Sequence, residues 1–146
     1  NLVVTRTFSK IFGLAGLRVG YALASAEIAD LMNRVRQPFN VNNLAIAAAV
    51  AALDDHLFVA ESYELNRRGM EQIVAGLKRL SLEHIPSHGN FVTFRAGDGA
   101  SVNLKLLKQG VIVRPIGGYG LPEWLRVTIG TEPENARFLE ALDKAL

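Results

Sequence analysis

The longest uninterrupted helical pattern in this sequence runs from roughly His56 to Leu80, and it constrains how the rest of the chain can fold. Its apolar residues recur at the spacing of a helix that is packed on one side. Before this helix the sequence reads as two short strands and two helices; after it, short strands alternate with short helices. This change of texture predicts a domain boundary within the helix, with residues 1–68 in one domain and residues 69–146 in the next.

Local start and stop signals set the other elements. Ser25-Ala26-Glu27 reads as a helix start, Asn42 or Asn43 can cap an alanine-rich helix, and Thr131 precedes a proline and two acids in a terminal helix. The predicted strands cover residues 2–8 and 19–24 and the segments NFVTFRA, GVIVRP and EWLRVTIG, and the remaining predicted helices cover residues 100–109 and 133–146.

Composition limits the classes of function. Hydrophobic residues make up 49% of the 146 residues and charged residues 21%, the balance of a globular protein with a core. There is no cysteine, which excludes disulfides, thiol catalysis and zinc-thiolate sites and is compatible with the cytoplasm. A net charge of +2 with scattered basic residues indicates no nucleic-acid partner, and no apolar run reaches the roughly 18–20 residues that span a membrane. An anionic small molecule remains compatible with this composition.

One lysine, Lys10, lies in the glycine-punctuated stretch TRTFSKIFGLAGLRVGYA among apolar and small residues. A lysine in a partly desolvated site loses proton affinity and becomes a nucleophilic amine that bonds an aldehyde. The hydroxyls of Thr7 and Ser9 and the guanidinium of Arg18 would complement an anion beside it. The alternative is an ordinary surface lysine beside an arginine in an ion pair. The complete pattern favours pyridoxal 5′-phosphate, which requires an amine next to a phosphate cradle.

Two further arginines lie in predicted strands. Arg126, in LPEWLRVTIGT, is flanked by Leu125 and Val127, so its charge must be paired or must face a cavity unless it points to solvent from an edge strand. Arg114, in GVIVRPIGGYG, precedes a proline, and its alternative interpretation is an ion pair near a turn. The three histidines have no spacing typical of metal ligands, and we expect no metal site.

The pattern T-x-S-K-x-x-x-x-A-G-x-R-x-G-Y resembles the cofactor-lysine signature of class I and II aminotransferases, which have the type I fold of pyridoxal-phosphate enzymes. The resemblance implies an α/β protein and, for this chain, the C-terminal part of that fold. Residues 1–68 would be the end of the large cofactor-binding domain and its sheet. The long helix would connect them to a small α+β domain over residues 69–146.

The resemblance also implies roles for individual residues. Lys10 would bond pyridoxal 5′-phosphate and move the proton during transamination, while Thr7, Ser9 and Arg18 would bind the cofactor phosphate. Arg126 matches an arginine that clamps the substrate carboxylate. Arg114, with the segments SKIFGLAGLRVGYALA and RQPFNVNNLA, most resembles the histidinol-phosphate aminotransferases, where the arginine of the VRP segment meets the substrate phosphate.

The expected activity is therefore transfer of an amino group from L-histidinol phosphate to 2-oxoglutarate, which belongs to histidine biosynthesis, in a cytoplasmic homodimer. Three alternatives stay open: an aromatic amino acid aminotransferase, a threonine-phosphate decarboxylase of the same fold, and an inert binding domain. The sequence begins inside a predicted strand, so we expect the C-terminal part of a longer protein. The family's other cofactor-binding groups would lie upstream, and this chain alone should be inactive.

Overall fold

The computed structural model describes residues 1–146, which divide into two compact units, Asn1–Tyr63 and Glu64–Leu146. In chain order the elements are β1 (Val4–Thr7), a 3-10 turn (Ala15–Leu17), β2 (Gly20–Leu23), α1 (Ala26–Val35), α2 (Asn43–Asp54), α3 (His56–Arg79), β3 (His84–Ile85), β4 (Phe91–Arg95), α4 (Gly99–Lys108), β5 (Arg114–Pro115), a second 3-10 turn (Gly117–Tyr119), β6 (Trp124–Thr128) and α5 (Glu132–Ala145). The predicted long helix is α3, which crosses the boundary between the units.

The first unit contains β1, β2, α1 and α2. The two strands pair antiparallel, with Val4 opposite Leu23. The predicted helix starts are confirmed: Ser25 Oγ accepts a hydrogen bond from the Ile28 backbone N–H at 3.3 Å, and Asn42 Oδ1 accepts one from the Ala45 N–H at 2.8 Å. The buried hydrophobic residues of this unit are Phe8, Ala45 and Ala49. Most of its large apolar side chains are exposed, so little apolar surface is buried here.

Helices α2 and α3 meet at Asp55, whose Oδ1 accepts a hydrogen bond from the Phe58 backbone N–H at 3.0 Å. This side chain satisfies one of the free donors at the start of α3. No single helix is long and apolar enough to cross a membrane. Helices α2 and α3 reach that length and composition only as a pair, and the pair is bent by 77°.

The second unit is built on a four-stranded antiparallel sheet in the order β3-β4-β6-β5. Alternate side chains point to opposite faces of a strand. The core face therefore carries Val92, Phe94, Leu125 and Val127, which are buried in one cluster with apolar residues of α3, α4 and α5. The other face, which we call the open face, carries the alternate residues of β4 and β6: Phe91, Thr93, Arg95, Trp124, Arg126 and Thr128.

Two short strands differ from the sequence prediction. Of the segment GVIVRP, only Arg114–Pro115 is strand, because the Val111 N–H still bonds to Leu106 O at 3.0 Å after Gly110 has turned the chain with φ +75°. The sequence did not predict β3, His84–Ile85, since two residues are too short for any alternation to be visible. Both strands exist because a neighbouring strand supplies their hydrogen-bond partners.

Two glycines on α3 allow other segments to approach the helix closely. A Cβ at Gly69 would lie 2.4 Å from Ile129 Cγ2 and 2.9 Å from Asn135 Nδ2, and a Cβ at Gly76 would lie 2.4 Å from both methyl groups of Leu139. Asn135 is buried, and its amide bonds to the backbone N–H and carbonyl of Gly130 and to Gln72. The absence of a side chain at Gly69 therefore leaves room for the buried Asn135 amide at the start of α5.

We expect Gly69→Ala to destabilise the protein. Alanine normally stabilises a helix interior by about 1 kcal/mol relative to glycine, but here the added methyl group overlaps Ile129 and the Asn135 amide. The expected loss in the free energy of unfolding is about 1–3 kcal/mol, measured by urea denaturation. Gly118→Ala, where no atom lies within 4 Å of the added methyl group, is the matched control. A Gly69→Ala protein as stable as the control would contradict this packing argument.

Helix α5 begins with a capping interaction between Thr131 and Glu134. The Glu134 carboxylate accepts hydrogen bonds from the Thr131 backbone N–H at 2.7 Å and from its hydroxyl at 2.8 Å. These bonds favour the ionised form and hold the pKa of Glu134 below its usual value, the backbone bond contributing most. The predicted start of this helix at Thr131 is confirmed.

The lowered pKa predicts how the stability of the protein depends on pH. Because the folded pKa of Glu134 lies below the unfolded one, its contribution is complete above the unfolded pKa and is lost as the pH falls through the folded pKa. Unfolding free energies of wild type and Glu134→Gln should therefore differ near neutral pH and converge on acidification. Glu132→Gln, two residues earlier in the same first turn, is the control for removal of a carboxylate from this turn. A difference that persists in acid would show that ionisation of Glu134 is not its source.

Candidate active site

The segment that carries Lys10 is a compact turn between β1 and β2, which we call the lysine turn (residues 7–18). Phe8 is buried in it and bonds through its N–H to Val19 O at 3.2 Å and through its carbonyl to the Leu14 N–H at 2.9 Å. The Gly13 N–H bonds to Lys10 O at 2.8 Å, and Gly13 has φ +69°, a conformation that favours glycine. Backbone bonds around one buried aromatic thus hold the turn in shape.

The structure brings Thr7, Ser9 and Lys10 together at the start of this turn. Thr7 Oγ1 accepts a hydrogen bond from the Ser9 backbone N–H at 3.0 Å. Ser9 is half-buried, and within these residues the Lys10 side chain is exposed. The physical reason is that the turn buries only the Phe8 ring, and the apolar neighbours of Lys10 in sequence do not close over its side chain.

Arg18 ends the lysine turn in an unusual backbone conformation. Its φ is +53° and its ψ +50°, the left-handed region that residues with a Cβ rarely adopt, and its Nη1 donates to Ala15 O at 2.7 Å. The sequence did not reveal this conformation, since glycine is the usual signal for it. Two residues later, glycine is required at Gly20 because a Cβ there would lie 2.6 Å from Arg6 O. Backbone strain at Arg18 is consistent with a functional position.

The groups on the lysine turn match the two ends of pyridoxal 5′-phosphate. Lys10 ends in an amine, the group that bonds an aldehyde. The Ser9 and Thr7 hydroxyls and the remaining N–H groups of Arg18 are donors for a phosphate. All four side chains belong to one turn of the backbone, so the donor set fits this cofactor.

The strand register brings Arg114 and Arg126 side by side. Arg114 on β5 lies directly opposite Arg126 on β6, a position where Cβ atoms are about 4.5–5.5 Å apart and like charges repel. β6 lies between β4 and β5, so the alternative of an edge-strand arginine does not hold for Arg126. Arg126 is half-buried, its Nε is buried without a hydrogen-bond partner, and neither arginine forms an ion pair.

A third arginine on the same sheet, Arg95, differs from this pair because a carboxylate neutralises its charge. The Arg95 guanidinium bonds to Glu123 Oε2 at 2.9 and 2.7 Å, and this hydrogen bond, followed by the charge of Glu123, raises the pKa of Arg95. The carboxylate balances that cation on the protein itself. Arg114 and Arg126 have no such partner, so the pair is an unbalanced concentration of positive charge suited to an anionic ligand.

The two groups of candidate residues belong to different units: the lysine turn to Asn1–Tyr63 and the arginine pair to Glu64–Leu146.

No cluster of three or more His, Cys, Asp or Glu side chains could hold a metal ion. The Asn90 backbone carbonyl accepts a hydrogen bond from the Ile129 N–H at 2.9 Å. Sequence reasoning missed Phe91, whose ring lies against Arg126; no local pattern marks that contact.

Comparison with known proteins supports the expected resemblance. The histidinol-phosphate aminotransferase 1 of Dechloromonas aromatica is 92% identical over the whole chain, which covers 40% of that protein. The chain spans about 40% of the length of the curated relatives it matches.

Solved structures share the fold. The histidinol-phosphate aminotransferase of Sinorhizobium meliloti in complex with pyridoxal-5′-phosphate matches 99% of this chain and 41% of its own length, with a TM-score of 0.91 and 28% identity. The L-threonine-O-3-phosphate decarboxylase of Porphyromonas gingivalis matches 99% of this chain and 46% of its own length, with a TM-score of 0.84 and 27% identity. These likenesses confirm the expected fold class.

The family itself is shown by a sequence profile. The profile described as aminotransferase class I and II matches residues 1–142, nearly the entire chain. The lysine turn and the arginine pair both lie within the matched range. The chain therefore belongs to the class I and II aminotransferase family.

Proposed function

We propose that these residues form the cofactor-lysine and substrate-arginine part of a pyridoxal-phosphate aminotransferase that transfers the amino group of L-histidinol phosphate to 2-oxoglutarate. The observation that carries the proposal is the pair Arg114 and Arg126, adjacent and without a carboxylate partner. The donor brings a doubly charged phosphate and the acceptor brings two carboxylates. Two adjacent guanidinium groups can bind either substrate, as an enzyme that alternates between them requires.

Lys10 is the catalytic residue of this proposal. Pyridoxal 5′-phosphate, when bound, supplies an electron sink for the bonds at the substrate carbon that carries the nitrogen. Lys10 Nζ would hold the cofactor at its aldehyde carbon and would be released when the amine of the substrate takes that place. Once free, the Lys10 amine would be the base that moves the proton from the substrate carbon that carries the nitrogen. Thr7, Ser9 and Arg18 hold the cofactor phosphate and so keep that carbon within reach of Lys10.

The same proposal assigns a different role to each of the two domains. Residues 1–68 belong to the cofactor-binding domain and residues 69–146 to the smaller domain that binds the anionic groups of the substrates. The remaining cofactor groups are supplied by parts of the full-length protein outside these residues, and that protein is a cytoplasmic homodimer. The chain's share of its relatives' length and the exposed apolar side chains of Asn1–Tyr63 support a contribution from other parts of the full-length protein.

Replacement of Lys10 tests the cofactor assignment. In the full-length protein, Lys10→Ala should remove the visible absorbance of the lysine-bound cofactor and lower kcat by about 10²–10⁴-fold or more. Lys78→Ala, which removes an exposed lysine at the end of α3, is the matched control and should change neither property. Retention of the visible band in Lys10→Ala would overturn the assignment.

Replacement of the two arginines tests the substrate class. Arg126→Gln should raise KM for both substrates, because each places an anionic group there. Arg114→Gln should raise KM more for L-histidinol phosphate than for an aromatic amino acid, by about 10-fold, the effect of roughly one lost charge-assisted hydrogen bond. Steady-state kinetics with both amino donors measures this difference. Equal effects on both donors would favour an aromatic aminotransferase.

The same assays separate a second reaction class. The structural likeness to the threonine-phosphate decarboxylase favours it as the second candidate. Threonine phosphate carries a carboxylate and a phosphate and therefore also matches two arginines. Release of CO₂ from it, with no transfer of nitrogen to 2-oxoglutarate, would replace the proposed reaction with decarboxylation. Absence of both reactions in the full-length protein with bound cofactor would leave a binding domain.

A further inference from the structure

The ring of Phe91 lies against the guanidinium of Arg126. Phe91 is opposite Thr128 on β6 and Arg126 is opposite Thr93 on β4, so the two are diagonal neighbours on the open face. Diagonal neighbours in a sheet are within reach of aromatic and long side chains. Arg126 Cζ lies 4.5 Å from the ring centroid, a distance that permits a cation–π interaction.

The Arg126 guanidinium contacts the Phe91 ring and forms no ion pair with a carboxylate. Its buried Nε has no hydrogen-bond partner. Arginine has a long side chain that loses rotamer freedom when it is held in one geometry. An arginine that waits for a ligand must therefore be held by a group that leaves its N–H edge free. An aromatic ring does this, because it covers the face of the guanidinium and not its edge.

The turn that precedes Phe91 is tied to α3. Phe91 Cε1 lies 3.5 Å from the point that a Cβ of Gly89 would occupy, so the ring lies beside this turn. Asn66 Nδ2 on α3 donates to Gly89 O at 3.2 Å, and Asn90 O accepts from Ile129 N–H at 2.9 Å. A hydrogen bond from α3 thus fixes the turn directly before Phe91, whose ring lies over the Arg126 guanidinium.

We propose that Phe91 is a positioning residue that holds the plane of the Arg126 guanidinium, so that the N–H edge of this group faces the anionic end of the substrate. This inference rests on the proposed function of Arg126. Holding the guanidinium before binding reduces the entropy that each substrate must offset on binding. Because both substrates use Arg126, loss of the ring weakens the binding of both, whereas the Lys10 proton transfer stays intact.

The test compares Phe91→Leu with Phe91→Tyr in the full-length protein with bound cofactor. Leucine keeps an apolar side chain without a ring, and tyrosine keeps the ring. Phe91→Leu should raise KM for L-histidinol phosphate and for 2-oxoglutarate by about 5–30-fold, the range expected for a partly desolvated cation–π contact, with kcat changed less than about two-fold. Phe91→Tyr should restore both KM values to within about two-fold of wild type. A merely structural role of Phe91 would lower kcat and cofactor absorbance together.

The outcomes that overturn the proposal are distinct from failure of the proposed function. Unchanged KM values in Phe91→Leu, or an equal loss in Phe91→Tyr, would overturn the positioning role of the ring. If Arg126→Gln leaves both KM values unchanged, the proposed function of Arg126 fails instead. Should Phe91→Leu lose its cofactor absorbance through misfolding, Phe91→Met carries the same expected KM rise and the same overturning result.

Discussion

The register of β6 between β4 and β5 is the constraint on which the second unit depends. Side chains alternate strictly along a strand, so one register buries Leu125 and Val127 in the core and sends Arg126 to the open face. A slip of one residue would reverse all three positions and place a guanidinium among the buried side chains. The cost of burying that charge and the gain from burying the apolar residues favour the same register. The packing of the core therefore also orients the residue proposed to bind substrate.

The same register has an electrostatic consequence. It places Arg114 directly opposite Arg126, an arrangement that weakens the folded state unless an anion is present. On the neighbouring strand β4, the charge of Arg95 is neutralised by the carboxylate of Glu123. One arginine of this sheet is neutralised, and two adjacent ones are unpaired, although their repulsion destabilises the fold. Residues that lower stability in this way are typical of functional sites.

The first unit is held together more by backbone hydrogen bonds than by a buried apolar core. Asn1–Tyr63 buries only three hydrophobic side chains, and the lysine turn is held largely by backbone hydrogen bonds around Phe8. Local bonding is sufficient to bring Thr7, Ser9, Lys10 and Arg18 onto one turn. It is not sufficient to desolvate Lys10, because desolvation requires side chains from elsewhere to cover it. Phe39 is similarly 97% exposed with φ +57°, an apolar ring in a strained backbone that nothing within these residues covers.

The sequence by itself determined what depends on neighbours in the chain. The helix starts at Ser25, at Asn42 or Asn43 and at Thr131 were predictable because the hydrogen bonds that mark them join residues only three apart in the chain. Helix α3 was predictable because its apolar spacing persists over its full length. The lysine signature likewise placed four candidate residues in one segment, because they lie close together in the chain. Only the tertiary structure decided that β5 is two residues long, that Lys10 is exposed, and that Phe91 lies against Arg126. Each of these depends on partners distant in sequence, through strand pairing and solvent access, and no local pattern encodes them.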